Sequence, residues 1–262
     1  MNFSKLVLIM LISSLFFVSC TNDDTNDDTP LGSYDNGFLI LNQGGFGHND
    51  ASVSYVSSDF SIAQNDIFSV VNPSITLGDT GQDVGFNNEL AYIVLNASNK
   101  IEIVNRYTLK SVGSINSGLK NPRYIAFANG KGYVTNWGDG SVATDDYVAV
   151  IDLTAKKVSS SIPVLEGPER IIANSGKLYV AHKGGYSYGN KISVIDATSN
   201  AVSTTITVGD VPENMEIKDG TLWVSCAGNP SYVSAPLVET AGQIVKVNLT
   251  TNKVASTIVY SD

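Results

Sequence analysis

The sequence predicts an all-β fold built from five repeats of one four-stranded antiparallel unit. A β-rich motif recurs with ends at Asn96, Asn136, His182 and Cys226, so successive copies are 40, 46 and 44 residues apart. Each interval holds four short β-rich runs separated by Gly, Asn, Asp or Pro residues. No interval carries the helical apolar period over a length that would form a helix. Four strands in forty-odd residues is the size of a β-propeller blade, and this is the predicted fold class.

Three strand motifs follow one another in the repeat. The first occupies residues 39–42, 93–96, 133–136, 179–182 and 223–226. The second occupies residues 54–57, 102–105, 149–152, 193–196 and 245–248. The third is visible at residues 161–164, 205–208 and 257–260. An immunoglobulin-like sandwich would not repeat its own sequence at this period, and a parallel β-helix would use shorter coils.

The composition argues against several classes of partner. The chain has 262 residues, a formal net charge of −9 and a pI near 4.6. A nucleic acid or an anionic membrane surface needs clustered Lys and Arg residues, and the sequence contains no basic run. The two cysteines, Cys20 and Cys226, form neither a disulfide framework nor a metal-binding spacing. Cys226 stands where other repeats have Asn or His, and it is interpreted as a small buried residue.

The first 34 residues are predicted to precede the folded domain. Residues 1–19 combine Lys5 with an apolar run at 6–18, which is typical of a secretory signal peptide. This run is too short to span a bilayer comfortably as a permanent helix. Residues 20–34 are polar and acidic, so a flexible tether is expected there. The propeller is expected to occupy residues 35–262.

Residues 17–20 resemble the lipobox of bacterial lipoproteins, in which the cysteine, here Cys20, becomes the lipidated N-terminus. The alternative is an ordinary cleaved signal with an incidental cysteine. The acidic run after Cys20 resembles the signal that sends Bacteroidota lipoproteins to the outer face of the outer membrane, and its alternative is a plain spacer. The resemblance implies an outer-membrane protein that is held by its lipid and exposed at the cell surface.

The repeats themselves resemble a known family. Tyr133-Val134-Thr135-Asn136, followed by Val150-Ile151-Asp152, is similar to the YVTN family of β-propeller repeats. The glycine-rich opening at residues 37–47 resembles Bacteroidota surface propeller lipoproteins, a group that includes the vitamin B12 capture type. This resemblance implies a binding protein, a corrinoid as the leading small-molecule ligand and a TonB-dependent transporter as a partner.

The ring of blades is predicted to be incomplete. The first repeat starts at the Leu39 strand and lacks the inner strand that precedes this motif in the other repeats. Propellers of the similar family usually have seven blades, whereas five repeats are visible here. We therefore expect a truncated or partial ring, which would leave unpaired strand edges at both ends.

One end of the blades is predicted to carry the binding residues. In a four-stranded antiparallel blade, the loop that enters the first strand lies at the same end as the loop between the second and third strands. The first loop set contributes Gln82, Asp83, Arg123, Tyr124, Glu169, Arg170, Glu213 and Asn214. The second set contributes Gln43, Phe46, His48, Trp137, Lys183, Tyr186, Tyr188 and Tyr232. Aromatic rings among glycines suit a large, partly apolar ligand or a protein surface, and the alternative is that these rings pack on their own blade.

No catalytic residues, cofactor or metal site are predicted. The sequence has two histidines, no nucleophile elbow, and acidic residues at 139, 145 and 146 whose spacing matches no calcium loop. We interpret the chain as a non-catalytic ligand-binding module. One alternative is an adhesion or scaffold protein that binds proteins or glycans. The other is a lactonase-like or quinone-dependent enzyme, whose channel metal would be held by Asp83, Glu169, Glu213 and Asn214.

Overall fold

The computed structural model describes residues 30–229 and 239–260. The predicted signal peptide, Cys20 and Tyr232 lie outside the described residues. The compact unit begins at Leu31, and Tyr34 already packs edge-on against Tyr55 with ring centroids 5.3 Å apart. No helix in the described ranges has the length and apolar character needed to cross a membrane.

The described chain forms five antiparallel sheets, numbered here in chain order. Sheet 1 consists of β1 (Gly37–Asn42), β2 (Ser52–Ser57) and β3 (Ala63–Gln64), and the one-turn helix α1 (Ile67–Val71) follows it. Sheet 2 consists of β4 (Gly81–Asn87), β5 (Leu90–Leu95), β6 (Lys100–Asn105) and β7 (Ser111–Ile115). Sheet 3 consists of β8 (Pro122–Ala128), β9 (Lys131–Asn136), β10 (Tyr147–Asp152) and β11 (Lys157–Pro163).

Sheets 4 and 5 repeat the same order of strands. Sheet 4 consists of β12 (Pro168–Asn174), β13 (Lys177–His182), β14 (Lys191–Asp196) and β15 (Ala201–Thr207). Sheet 5 consists of β16 (Pro212–Lys218), β17 (Thr221–Cys226), β18 (Gln243–Asn248) and β19 (Lys253–Val259). The innermost strands β4, β8, β12 and β16 pack side by side, which is the arrangement of propeller blades. The predicted fold class is confirmed, and within the described residues no strand lies inside β1 of sheet 1, as the sequence indicated.

Burial explains why the middle strands are apolar without alternation. Sheets 2, 3 and 4 each pack two faces against two neighbouring sheets, so their second strands β5, β9 and β13 are buried along almost their whole length. The outermost strand β15 is exposed at every position except Ile206, which is buried. Four apolar clusters lie between consecutive sheets and form the core.

Hairpin chemistry follows the repeat. Asn129 and Gly130 both have positive φ, 48° and 71°, which is the type I′ geometry that a two-residue hairpin needs. At the hairpin between the third and fourth strands, a carboxylate or amide caps the turn. Asp152 Oδ1 accepts hydrogen bonds from the backbone N–H groups of Thr154 and Ala155 at 2.9 and 2.8 Å. Asp196 and Asn248 cap their turns in the same way.

Tyr133 connects two sheets through its hydroxyl group. This oxygen lies 2.8 Å from Asn200 Oδ1 and 3.1 Å from the Ala197 carbonyl oxygen, and the ring is fully buried. Tyr133→Phe is therefore expected to lower the free energy of unfolding by about 1–2 kcal/mol, because buried acceptors lose their donor. Urea unfolding measures the loss, and Tyr260→Phe, which alters an exposed hydroxyl, is the matched control. Equal stability of the two variants would contradict this interpretation.

Candidate functional site

The structure gathers the predicted binding residues at one end of the sheets. Antiparallel pairing brings the starts of the inner strands to the same end as the loops that follow β1, β5, β9, β13 and β17. We call this end the rim. It comprises the loops at residues 43–50, 96–99, 137–146, 183–189, 227–229 and 239–242, and the strand starts at residues 82–83, 123–124, 169–170 and 213–214. Every predicted site residue that the structure describes lies on the rim.

Irregular pairing shapes the inner edge of the rim. The ladder of each inner strand shifts register just after its first residue, between Gly81 and Asp83 and between Pro122 and Ile125, for example. The shift is repeated at Pro168 and Pro212. A bulge re-aims the side chains that follow it, so the residues after each proline point along the rim and across to neighbouring sheets.

A buried ion pair joins sheets 3 and 4 at the rim. The guanidinium of Arg123 donates from Nε to Glu169 Oε2 at 3.0 Å and from Nη2 to Glu169 Oε1 at 2.8 Å. The Glu169 side chain is 5% exposed and that of Arg123 is 16% exposed. Two parallel hydrogen bonds to one carboxylate fix both position and orientation. The pair therefore holds two blades in a defined register and is unavailable to a ligand.

A second set of charges extends this network to sheet 2. Asp83 Oδ1 lies 3.9 Å from Arg170 Nη1, and Asp83 Oδ2 accepts a hydrogen bond from the Ile125 N–H at 3.0 Å. Burial raises the pKa of Asp83, and the Ile125 N–H and the Arg170 charge oppose that shift. The Arg170 guanidinium also lies 4.9 Å from the centre of the Tyr124 ring.

Trp137 forms the aromatic centre of the rim. The Arg123 guanidinium stacks 4.3 Å from its ring, and its Nε1–H donates to the Pro168 carbonyl oxygen at 3.0 Å. Tyr186 packs edge-on against it, with centroids 5.9 Å apart and planes at 70°. Tyr186 itself is 78% exposed. Trp137 is thus a fixed support, and Tyr186 is the aromatic surface that it presents to solvent.

Thr135 was not singled out by the sequence analysis, yet it fixes the position of this network. Its hydroxyl donates to the Glu169 carbonyl oxygen at 2.8 Å and lies 3.0 Å from the Tyr124 N–H. It is the fully buried threonine of the Tyr133–Asn136 motif. The signal was in the sequence, because a hydroxyl inside an otherwise apolar buried strand needs partners.

The acidic residues beside Trp137 accept hydrogen bonds from backbone N–H groups. Asp145 Oδ2 accepts from the Asp139 N–H at 2.8 Å, and Asp146 Oδ2 accepts from the Gly167 N–H at 2.6 Å. Burial, aided by the nearby Asp145 and Glu166 carboxylates, raises the pKa of Asp146 to about 6. In the described ranges, no three His, Cys, Asp or Glu side chains are grouped so that they would hold a metal ion.

The carboxylates that the enzyme alternative would require are separately engaged. Glu169 pairs with Arg123, and Asp83 pairs with Arg170. Glu213 pairs with Lys183, with Oε1 and Nζ 3.2 Å apart, and its side chain is 45% exposed. These three carboxylates therefore serve three different ion pairs.

The other predicted residues lie at several places on the rim. Phe46 and His48 are exposed on the 43–50 loop of sheet 1, together with Gln43. Gln82 is half-buried at the bulge of sheet 2, and Asn214 is exposed on sheet 5. Tyr188 is half-buried in the same loop as Tyr186.

The repeated sheets and the loop-built rim define a β-propeller. Within that class, the chain belongs to the family described as a domain of unknown function, DUF5074, whose model matches residues 36–259. No curated protein matches the sequence of this chain.

Solved structures support the fold at low sequence identity. BamB from Moraxella catarrhalis is 13% identical with a TM-score of 0.56, over 88% of this chain and 61% of that one. The Pan2 WD40 domain of Neurospora crassa is 11% identical with a TM-score of 0.58, over 86% and 63%. Hydrazine synthase of Kuenenia stuttgartiensis is 22% identical with a TM-score of 0.55, over 66% and 46%. This chain thus spans about half to two thirds of the length of these structures, and the likeness concerns the fold alone.

Proposed function

We propose that this chain is a non-catalytic ligand-binding propeller whose ligand rests on the rim. The observation that carries the proposal is the exposed ring of Tyr186, held edge-on by Trp137, which is itself fixed by Arg123 and by the Pro168 carbonyl group. An exposed aromatic ring on a rigid support offers contact area at little cost in conformational entropy. A rim that is organised before binding loses less freedom when a ligand arrives.

Glycine makes room for this aromatic surface. A Cβ atom on Gly140 would lie 2.4 Å from the Tyr186 ring, so a side chain there would push the ring away from the 137–146 loop. Gly184 and Gly185 have positive φ, 98° and 59°, which lets the neighbouring loop turn back over the rim. The loops are therefore shaped to expose Tyr186 rather than to bury it.

Charge on the rim favours a ligand that donates hydrogen bonds. Asp139, Asp145 and Glu213 are acidic, partly or wholly exposed, and close to the aromatic surface in sequence or in space. A corrinoid combines a broad apolar ring with peripheral amide groups that donate to carboxylates. It is therefore the ligand that we propose first, in agreement with the resemblance to the vitamin B12 capture type.

We further propose that the protein acts at the outer face of the outer membrane. The lipobox-like sequence ending at Cys20 and the acidic run after it support lipid anchoring and surface exposure. A capture protein in this position would pass its ligand to a TonB-dependent transporter. Proteins or glycans are the ligands that would replace the corrinoid if the test below fails.

Titration calorimetry of the full chain with cyanocobalamin tests this proposal. We expect binding in the sub-micromolar range, and we expect Tyr186→Ala to weaken it by roughly tenfold because one aromatic contact is lost. Phe86→Ala is the matched control, since Phe86 is a partly exposed ring at the opposite end of sheet 2.

Two outcomes would overturn the assignment. If the folded chain does not bind cyanocobalamin, the ligand is not a corrinoid. If Tyr186→Ala and Phe86→Ala bind as tightly as the unmodified chain, the ligand does not rest on the rim at Tyr186. Circular dichroism of each variant establishes that the β-sheet content is retained.

A further inference from the structure

Equivalent residues of the inner strands lie at the inner edge of the rim. They are Asp83, Tyr124, Arg170 and Asn214, each two residues after the Gly or Pro that begins its strand. Arg170 of sheet 4 reaches Asp83 of sheet 2, although β8 of sheet 3 packs between their strands. Side chains from sheets that are not neighbours meet across the central space that the inner strands surround. We call this place the channel mouth, and it is formed by Asp83, Tyr124 and Arg170.

Arg170 is held at the channel mouth without donating a hydrogen bond. Its guanidinium lies 4.9 Å from the centre of the Tyr124 ring, and its Nη1 lies 3.9 Å from Asp83 Oδ1, which is too long for a hydrogen bond. Within residues 30–229 and 239–260, no group accepts a hydrogen bond from this guanidinium. A guanidinium has five N–H donors, and the Arg170 side chain is 37% exposed. The ring and the carboxylate therefore position a cation whose donors are available to a ligand.

Arg123 differs from Arg170 because its donors are used within the protein. Its Nε and Nη2 donate to the two carboxylate oxygens of Glu169, its guanidinium stacks on Trp137, and its side chain is 16% exposed. The two arginines thus share a rim but not a role. Arg123 joins two sheets, whereas Arg170 presents its charge to the channel mouth.

The carboxylates around Arg170 leave its exposed side accessible. Asp83 Oδ2 accepts a hydrogen bond from the Ile125 N–H, and the Asp83 side chain is 17% exposed, so Arg170 is the more accessible member of the pair. Glu213, on the next inner strand, is paired with Lys183. The contacts of Arg170 lie among sheets 2, 3 and 4, so they do not depend on either end of the array of sheets.

We propose that Arg170 binds an oxyanion, a phosphate ester or a carboxylate, on the ligand of the rim. A planar guanidinium offers two parallel N–H donors, and both kinds of oxyanion accept them in a bidentate manner. Asn214 borders the same open cavity of about 440 Å³ as Arg170 and adds an amide donor there. The inference deepens the ligand-binding function proposed above and rests on it. A corrinoid that keeps its nucleotide carries such a group, namely a phosphodiester.

NMR of the arginine Nε–H groups in the isotope-labelled full chain tests the site directly. The sequence contains three arginines, Arg106, Arg123 and Arg170, so each variant to lysine identifies one resonance. Dimethyl phosphate and acetate are added separately at constant ionic strength. We expect the Arg170 resonance to shift and saturate, while those of Arg123, which is paired, and Arg106, which stacks on Phe86 at 4.7 Å, stay in place.

The two probes distinguish the sources of the oxyanion. A larger response to dimethyl phosphate assigns a phosphate ester, and a larger response to acetate assigns a carboxylate. The proposal is overturned if the Arg170 resonance does not move with either probe, or if all three arginine resonances move alike.

Calorimetry with two corrinoids tests whether the ligand of the rim uses this site. Arg170→Met should weaken cyanocobalamin binding by roughly tenfold, because a charge-assisted hydrogen bond is lost. It should not change the binding of cobinamide, which lacks the nucleotide and its phosphodiester. Lys120→Met is the matched control, since it removes one positive charge from an exposed side chain just before β8.

The outcomes separate this inference from the corrinoid assignment. If cyanocobalamin does not bind but the Arg170 resonance shifts with an anion, the corrinoid assignment fails and the oxyanion site stands. If cyanocobalamin binds the unmodified chain and a folded Arg170→Met chain equally tightly, Arg170 does not contact the ligand and the inference fails. Circular dichroism establishes that the variants keep their β-sheet content.

Discussion

Glu169→Gln is expected to lower the free energy of unfolding by about 3 kcal/mol, which is the loss typical of breaking one partner of a buried ion pair. The Glu169 carboxylate accepts from two nitrogens of Arg123 at 2.8 and 3.0 Å and is almost wholly buried. Glutamine keeps the shape of the side chain but turns an amide donor toward a guanidinium donor. Arg123 is then left partly buried with an uncompensated charge.

Urea unfolding of the full chain measures this loss, and Glu213→Gln is its matched control. Glu213 occupies the same position after a proline in the next repeat, but its pair with Lys183 is far more exposed. An exposed pair contributes about 0–1 kcal/mol, so the control should change stability little. Equal losses in the two variants would show that burial of the Arg123–Glu169 pair does not matter.

A double replacement separates the charge from the packing. Arg123→Met combined with Glu169→Met removes both charges and keeps apolar volume, and it should recover most of the stability that Glu169→Gln loses. Failure of the double variant to recover would mean that the aromatic contact between Arg123 and Trp137, 4.3 Å apart, carries much of the stabilisation.

The second large effect is a loss of stability in acid that depends on His182. This side chain is 1% exposed, its Nε2 lies 2.8 Å from Ser193 Oγ, and desolvation lowers its pKa to about 4. The unfolded chain binds the proton near pH 6.5, and the folded chain resists it until about pH 4. As the pH falls through this window, protonation of the histidine therefore stabilises the unfolded state relative to the folded state. The expected loss is about 3 kcal/mol.

His182→Asn should remove this acid-dependent loss, because asparagine does not titrate. Asn136 shows that the rim tolerates the amide: its Oδ1 accepts from the Lys120 N–H and its Nδ2 donates to the Val134 carbonyl oxygen. Asp146 acts in the opposite direction. Its pKa is raised to about 6, so its contribution to stability is lost as the pH rises through 6 and is regained in acid.

Comparing the pH dependence of stability among variants separates the effect of His182 from that of Asp146. Unfolding free energies at pH 7 and pH 4.5 are measured for the unmodified chain, for His182→Asn and for His48→Asn, whose side chain is exposed. His48→Asn should follow the unmodified chain, whereas His182→Asn should lose less stability in acid. Identical pH dependence in all three proteins would exclude His182 as the cause.

The sequence by itself determined the repeating elements of this protein. Apolar runs such as residues 90–95 and 177–182, separated by turn residues, fixed the strands, and their period fixed the blade. Two further features were predictable from the sequence, because they depend on residues close together along the chain. One is that sheet 1 has no inner strand within the described residues. The other is the capping of turns by the side chains of Asp152, Asp196 and Asn248. The same local logic placed the predicted binding residues at one end of the sheets.

Only the tertiary structure decided which of these residues are available. Arg123, Glu169 and Glu213 occupy equivalent positions in three repeats, yet Glu169 is sealed in an ion pair and Glu213 stays half exposed. Trp137 became a support and Tyr186 the exposed surface. The physical reason is that a repeat pattern specifies only the position of a side chain within its own sheet. The burial and the partners of that side chain depend on the bulge at the start of the strand and on the packing of the neighbouring sheet. The residues of that neighbouring sheet lie more than 40 residues away in the chain.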